Sequence, residues 1–210
     1  MIRILIADDH TLIREGFKKI LGEERDLTIA KEARTGHEAL HHATKEKLDI
    51  VLLDISLPDK SGLDVLKELK ALQPKLPVLM LSMYPEDRFA VRAIRAGAAG
   101  YITKESASEE LVLAIRKIVA GGRYISQALA EKLASDLQAP SSKARHETLS
   151  DREYEILCAL ASGKKVSQIA EQLHLSVKTV STYRARILEK MDMKTNAELI
   201  HYAITNKLVD

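Results

Sequence analysis

The sequence predicts an α/β protein: a five-stranded doubly wound parallel sheet followed by a second, all-α domain. Three observations carry that expectation. Within about the first 120 residues, five short apolar runs each give way to a segment of helical periodicity. The central run, residues 50–53 (IVLL), lacks in/out alternation, as befits an interior strand covered on both faces. From residue 148 onward there is no strand pattern, only four successive helical segments.

Taken in order, residues 3–7 (RILIA) form the first strand, which stops at Asp8 and Asp9. Leu12, Ile13, Phe17, Ile20 and Leu21 then recur at helical spacing as far as Gly22, read as a C-cap. Residues 27–33 (LTIAKEA) are a weaker strand, and residues 36–47 a helix. Residues 49–54 are the interior strand, and Pro58 and Gly62 mark the turn beyond it. In the next helix Leu63, Leu66, Leu69 and Leu72 share a face, with Pro74 after its end. Residues 77–82 (PVLMLS) make a strand ending in a hydroxyl, and Pro85 opens a helix that stops at Gly97. Residues 100–104 (GYITK) are the last strand. Residues 108–120 form an amphipathic helix whose first turn holds Glu109 and Glu110, favourable for the helix dipole.

The polar residues fall into a pattern. Asp8 and Asp9, Asp54, Ser82 and Lys104 each stand at the carboxyl end of a different strand, where such sheets gather their ligands. Three carboxylates held close need a compensating cation, and hard oxygen ligands around a small site suit Mg²⁺. With that charge cancelled, Asp54 can attack phosphorus and become an aspartyl phosphate. Lys104 and Ser82 would hold phosphoryl oxygens, one by charge and one by hydrogen bonding. A single Asp at a strand end is more often a turn or cap residue, so the joint occurrence carries the reading. His41 and His42 are adjacent, without the i, i+4 spacing of a helical metal site.

The set Asp8, Asp9, Asp54, the Leu57-Pro58 turn with Gly62, Ser82, and Tyr101 three before Lys104 resembles the receiver domain of bacterial two-component response regulators, over roughly residues 1–121. The resemblance implies that Asp54 accepts a phosphoryl group from a sensor histidine kinase. It implies also that Asp9, Asp54 and the Ser56 backbone carbonyl bind Mg²⁺, with Asp8 assisting. Ser82 and Tyr101 become the switch pair, the hydroxyl moving toward the phosphoryl group while the ring turns inward. One departure is Glu105 after Lys104, where proline is usual.

Gly121 and Gly122 break the last helix of this half, and a short helix runs from about residue 126. Residues 139–147 (APSSKARHE) read as a linker. The expected division is therefore a domain at 1–121, a helix and linker at 122–147, and a second domain at 148–210. Ser150 with Glu153 three later has the capping-box pattern, ahead of an apolar face of Tyr154, Leu157, Cys158 and Ala161. A short helix, a turn and a longer helix capped by Ser176 have helix-turn-helix proportions. In the longer helix Val180, Ile187 and Met191 face the core. Lys178, Ser181, Thr182, Arg184, Ala185 and Arg186 are left outside or on the flanks, and Lys190 adds to the basic character.

LSDREYEIL, ASGKKVSQIAEQL, SVKTV and RARILEKM resemble the LuxR-type helix-turn-helix of NarL/FixJ regulators, over about residues 148–210. That match implies that residues 177–191 enter the major groove, with Ser181, Thr182 and Ala185 at base edges and Arg186 and Lys190 near phosphates. Tyr183 stands where histidine is common.

Composition sets outer limits. The 32 basic and 30 acidic residues give a net charge of +2, so nucleic-acid binding must rest on local placement of charge. No run approaches the length of a membrane span, and the amino terminus meets a charge pair too early for a signal peptide, which places the protein in the cytoplasm, away from membranes. Cys158 is the single cysteine, so neither an internal disulfide nor a Cys-rich zinc site is available. The function expected is a DNA-binding response regulator, not an enzyme. Phosphorylation on Asp54 would promote a homodimer on an inverted repeat of double-stranded DNA. The alternative is an aspartyl-phosphate phosphatase of the haloacid-dehalogenase type, which needs an acid two residues beyond the nucleophile, where this chain has Ser56.

Overall fold

Five strands, β1 (Ile2–Ala7), β2 (Leu27–Ala33), β3 (Ile50–Asp54), β4 (Val78–Ser82) and β5 (Gly100–Thr103), pair in parallel in the order β2-β1-β3-β4-β5. The structure, a computed structural model, describes residues 1–138, 144–206 and 208–209. The chain divides into two units, Met1–Gln138 and Ala139–Asp210.

Burial explains the strand sequences. Every residue of β3 and β4 is buried, so neither strand can alternate. At the edge, β2 buries only Leu27 and Ala33 fully, and its sequence is correspondingly more polar. Helices α1 (Thr11–Gly22), α2 (Gly36–Lys45), α3 (Gly62–Leu72), α4 (Glu86–Arg95) and α5 (Ala107–Val119) fill the connections. Ile4, Ile6, Leu52, Leu79 and Leu81 pack in one cluster with Phe17 and Leu21 of α1 and Leu111 and Ile115 of α5. On the other face Leu5, Val51, Leu53 and Met80 are equally buried, where α2 meets β1 and α3 meets β3.

Two helical faces differ from the sequence reading. In α1 the inward positions are Arg14, Phe17 and Leu21, while Leu12 is 86% exposed. Two residues along a helix turn the chain by about 200°, so burying Arg14 drives Leu12 outward. In α3, Val65 joins Leu63, Leu66 and Leu69 inside, whereas Leu72, its final residue, is exposed. Gly22 ends α1 as its last helical residue, with Glu23 as the αR cap. Gly97 does terminate α4 in the left-handed region, φ +100°. Its amide and that of Ala98 bond back to Ile94 and Ala93, satisfying the last carbonyls.

Beyond α5 the chain returns to the sheet. Tyr124 accepts from the Tyr101 amide at 3.2 Å and donates to the Ala99 carbonyl at 3.0 Å, adding one rung outside β5. Helix α6 (Gln127–Gln138) follows and packs on α4. Ser126 Oγ accepts from the Leu129 amide at its start and donates to Glu86. Of the expected linker, residues 139–143 lie outside the described residues, and Arg145–Thr148 form a 3₁₀ turn.

The second unit holds α7 (Asp151–Ala161), α8 (Val166–Gln172), α9 (Val177–Lys190) and α10 (Asn196–Thr205). The capping box is complete: the Ser150 amide donates to Glu153 Oε2 at 2.8 Å, and the Glu153 amide to Ser150 Oγ at 3.3 Å. Helix α7 packs against α9 and α10, and α8 against α9. Val180, Ile187 and Met191 are wholly buried, as their spacing requires. Among the described residues no helix is long and apolar enough to cross a membrane.

Candidate metal centre and nucleic-acid interface

Strand register brings the acidic residues together. Ala7 lies opposite Leu53 and Asp54 opposite Leu81, so the carboxyl ends of β1, β3 and β4 finish side by side. Beyond them, the Lys104 amide bonds to the Ser82 carbonyl at 2.8 Å, carrying β5's end to the same edge. Asp8, Asp54 and Ser82 are buried. Lys104 Nζ lies 2.7 Å from Asp8 Oδ2 and 2.8 Å from Asp54 Oδ2, at ion-pair distance but without hydrogen-bond alignment.

Burial, and then the neighbouring Asp8 charge, push the Asp54 carboxyl up to about 7, while Lys104 works the other way. The ammonium is shifted oppositely: burial lowers its pKa, but Asp54 and Asp8 together hold it above the usual lysine value. One ammonium does not balance three carboxylates.

A metal fits that imbalance. Asp8 Oδ2 and Asp54 Oδ2 are sealed from solvent with no aligned donor. Asp8, Asp9, His10 and Asp54 offer ligand atoms all within 4.8 Å of one another. An oxygen-rich set of this kind suits a hard divalent cation. His10, which the sequence reading passed over, stands 2.8 Å from Asp9 Oδ1 through its Nδ1, and its amide donates to Asp8 Oδ1 at 2.9 Å. Its signal in the sequence was only its place directly after two aspartates.

The floor of the site depends on one glycine. The Gly62 amide donates to the Ile55 carbonyl at 2.6 Å, and a Cβ at Gly62 would stand 1.9 Å from the Asp54 carbonyl oxygen. Gly62→Ala is expected to destabilise the first unit by about 3 kcal/mol and to displace Asp54, readable as a lower urea midpoint and weaker divalent-ion affinity. Arg14, also missed, is buried and donates from Nη1 to the Asp8 carbonyl at 2.7 Å and from Nε to Glu32 at 3.2 Å. It braces the β1–α1 loop from within.

Ser82 Oγ accepts from the Tyr84 amide at 2.9 Å. The Tyr101 hydroxyl donates to the Tyr84 carbonyl at 3.0 Å, with the ring buried. The two expected switch residues therefore meet at Tyr84, and here the ring is already inward.

In α9, Lys178, Thr182, Ala185 and Arg186 are exposed at spacings of four, three and one, forming one outer strip. Ser181 and Arg184 are half-buried on its flanks. Thr182 Oγ1 donates to the Lys178 carbonyl at 3.0 Å. Lys190 Nζ is held 2.7 Å from Glu153 of the α7 capping box, tying the far end of α9 to α7. The α8–α9 turn passes through His174 at φ 51°, where its amide and that of Leu175 bond back to Glu171 and Ala170.

A parallel sheet whose acidic edge is clamped by a lysine, followed in the same chain by a helix-turn-helix, defines a response regulator with a DNA-binding output unit. The chain belongs to the two-component response regulators of the NarL/FixJ type: residues 4–116 match the response regulator receiver domain, and residues 147–203 match the bacterial regulatory proteins of the luxR family. It is similar to the response regulator GacA of Pseudomonas aeruginosa, 39% identical over 211 residues, covering 100% of this chain and 99% of that protein. It is 35% identical over 209 residues to the response regulator UvrY of Escherichia coli, covering 99% and 96% of the two chains. The RcsB response regulator of Salmonella typhimurium shares the fold, with a TM-score of 0.65 at 22% identity, over 100% of this chain and 98% of that one.

Proposed function

We propose that this DNA-binding response regulator receives its signal at Asp54 and delivers it through α9. A phosphohistidine on the cognate sensor histidine kinase is the donor, met in the cytoplasm. A carboxylate oxygen of Asp54 attacks phosphorus, the P–N bond breaks, and the imidazole leaves with the electron pair and takes up a proton. Asp8, Asp9, Asp54 and the Ser56 carbonyl hold Mg²⁺, which supplies charge compensation for the incoming phosphoryl oxygens. Lys104 then turns from Asp54 to the phosphoryl group, and the Ser82 hydroxyl leaves the Tyr84 amide to donate to it. That move breaks the bond between Ser82 Oγ and the Tyr84 amide, and the Tyr101 hydroxyl is bonded to the same residue, so the event at Asp54 reaches β5 and the segment behind it. The observation that carries this reading is the Lys104 ammonium set between two buried carboxylates.

The protein is no hydrolase in this account. Ser56 stands where a haloacid-dehalogenase-type hydrolase carries its general acid, so that route of turnover is closed and the acyl phosphate serves as a signal. Phosphorylation shifts an equilibrium by about 1–3 kcal/mol toward a homodimer whose two α9 helices reach successive major grooves of an inverted repeat. Thr182, Ala185 and Ser181 face base edges, while Lys178, Arg184 and Arg186 serve phosphates, joined by Lys190 as it exchanges Glu153 for a phosphate.

In a gel-shift titration, beryllium fluoride with Mg²⁺ is expected to tighten DNA binding by at least fivefold in the native chain and to leave Asp54→Asn unchanged. Equal affinities with and without beryllium fluoride would remove the switch. Arg186→Ala should weaken binding to all duplexes alike and reduce its salt dependence.

A further inference from the structure

At the end of the sheet opposite the acidic edge, where β3, β4 and β5 begin, lies a cavity of about 710 Å³. A five-residue strand separates the two ends, about 16 Å at 3.3 Å per residue. Lys70, Lys75, Arg95 and Arg123 line it against one carboxylate, Asp49, whose Oδ2 already accepts from the Arg3 amide at 2.7 Å. Among the described residues no carboxylate pairs with Lys70, Lys75 or Arg123.

The ordinary explanation for basic residues here is the helix dipole, since α3, α4 and α5 all end at this cavity. It accounts for only part of the charge. Three helix ends contribute about −0.5 each and Asp49 one more, which is still less than Lys70, Lys75 and Arg123 supply. Lys70 sits within that excess of positive charge. Its ammonium donates to the Leu76 carbonyl at 2.7 Å, and burial, then repulsion from Arg123, hold its pKa below the usual lysine value. Two cations are thus kept close in a half-enclosed space with no counter-charge between them, which an anion would relieve. Pro74, Pro77, Ile118 and Val119 add an apolar wall, and the volume is that of a small-molecule site.

We propose that this cavity binds a polyphosphate anion, either inorganic or as the tail of a nucleotide. Lys70 and Arg123 take the phosphoryl oxygens, Lys75 and Arg95 close the rim, and the apolar wall accommodates an organic body where there is one. The cavity is separate from the Asp54 site in place and in sign of charge.

The test is a calorimetric titration of the full chain with sodium triphosphate and with ATP, in EDTA and at constant ionic strength. Saturable one-to-one binding is expected, weakened at least fivefold by Arg123→Ala and by Lys70→Gln. Arg123 lies on an exposed turn, so its variant stays informative if the Lys70 variant folds poorly. Saturating duplex DNA should leave the titration unchanged, and Arg123→Ala should hold its gel-shift affinity within twofold. Tighter binding of ATP assigns the nucleotide form, and equal affinity the inorganic one. Absence of saturable binding, full affinity in Arg123→Ala, or displacement by DNA would each overturn the proposal.

Discussion

Replacing Lys104 with alanine is expected to cost the first unit about 3–5 kcal/mol at pH 8 in the absence of divalent ions. The ammonium stands within 2.8 Å of both Asp8 and Asp54, and all three groups are sealed from water. Removing it leaves two like charges buried together with no cation to divide between them. The loss should shrink as pH falls toward 5, because Asp54 can then take up a proton. Millimolar Mg²⁺ should restore most of the lost stability, and raise the melting temperature of the variant more than that of the native chain. Urea unfolding at pH 5 and pH 8, with and without Mg²⁺, reads all three effects. A loss below about 1 kcal/mol that ignored both pH and Mg²⁺ would mean that Lys104 is no counter-ion.

Asp54→Asn should act in the opposite direction. The Asp54 carboxyl is raised from an ordinary 3.8 to about 7, first by burial and then by Asp8. Between those values the folded chain binds a proton that the unfolded chain has released, so stability falls as pH rises, and above pH 7 the full penalty applies. At about 1.4 kcal/mol per pH unit, its ceiling is about 4 kcal/mol. Asparagine has the shape of the neutral acid and escapes that penalty. The variant should therefore be more stable at pH 8 by up to about 4 kcal/mol and nearly equal to the native chain at pH 4, measured in EDTA. The same gap at both pH values would show that the charge of Asp54 is not what the fold opposes. A double-mutant cycle with Lys104→Ala should be strongly non-additive, since each residue is the other's partner.

These groups were legible in the sequence because each closes an apolar run, and a parallel sheet delivers strand ends to one edge whatever the loops do. The helical faces were less so. The sequence reading put Leu12 on the inner face of α1 and passed over Arg14, whose burial turns on the Asp8 carbonyl and Glu32, 6 and 18 residues away in sequence. Tyr84 is another residue whose part cannot be seen locally. It follows Ser82 by two positions, yet it matters because a strand 17 residues further on places the Tyr101 hydroxyl against its carbonyl. In α9 the core stripe followed from spacing alone, whereas the pairing of Lys190 with Glu153 spans 37 residues and needs the fold.

The rung that Tyr124 adds beside β5 bears on how two copies could meet. Gly100 has no room for a Cβ there, which would stand 2.7 Å from the Tyr124 oxygen, so the main chain fits closely against that flank. The amide of Tyr101 and the carbonyl of Ala99 are already spoken for. A neighbouring molecule therefore cannot prolong the ribbon on this side by adding a strand of its own, the usual hazard of an open margin. On this flank the self-association proposed above is left to side chains on helical exteriors, where it can be reversed, instead of backbone zippering, which tends to persist.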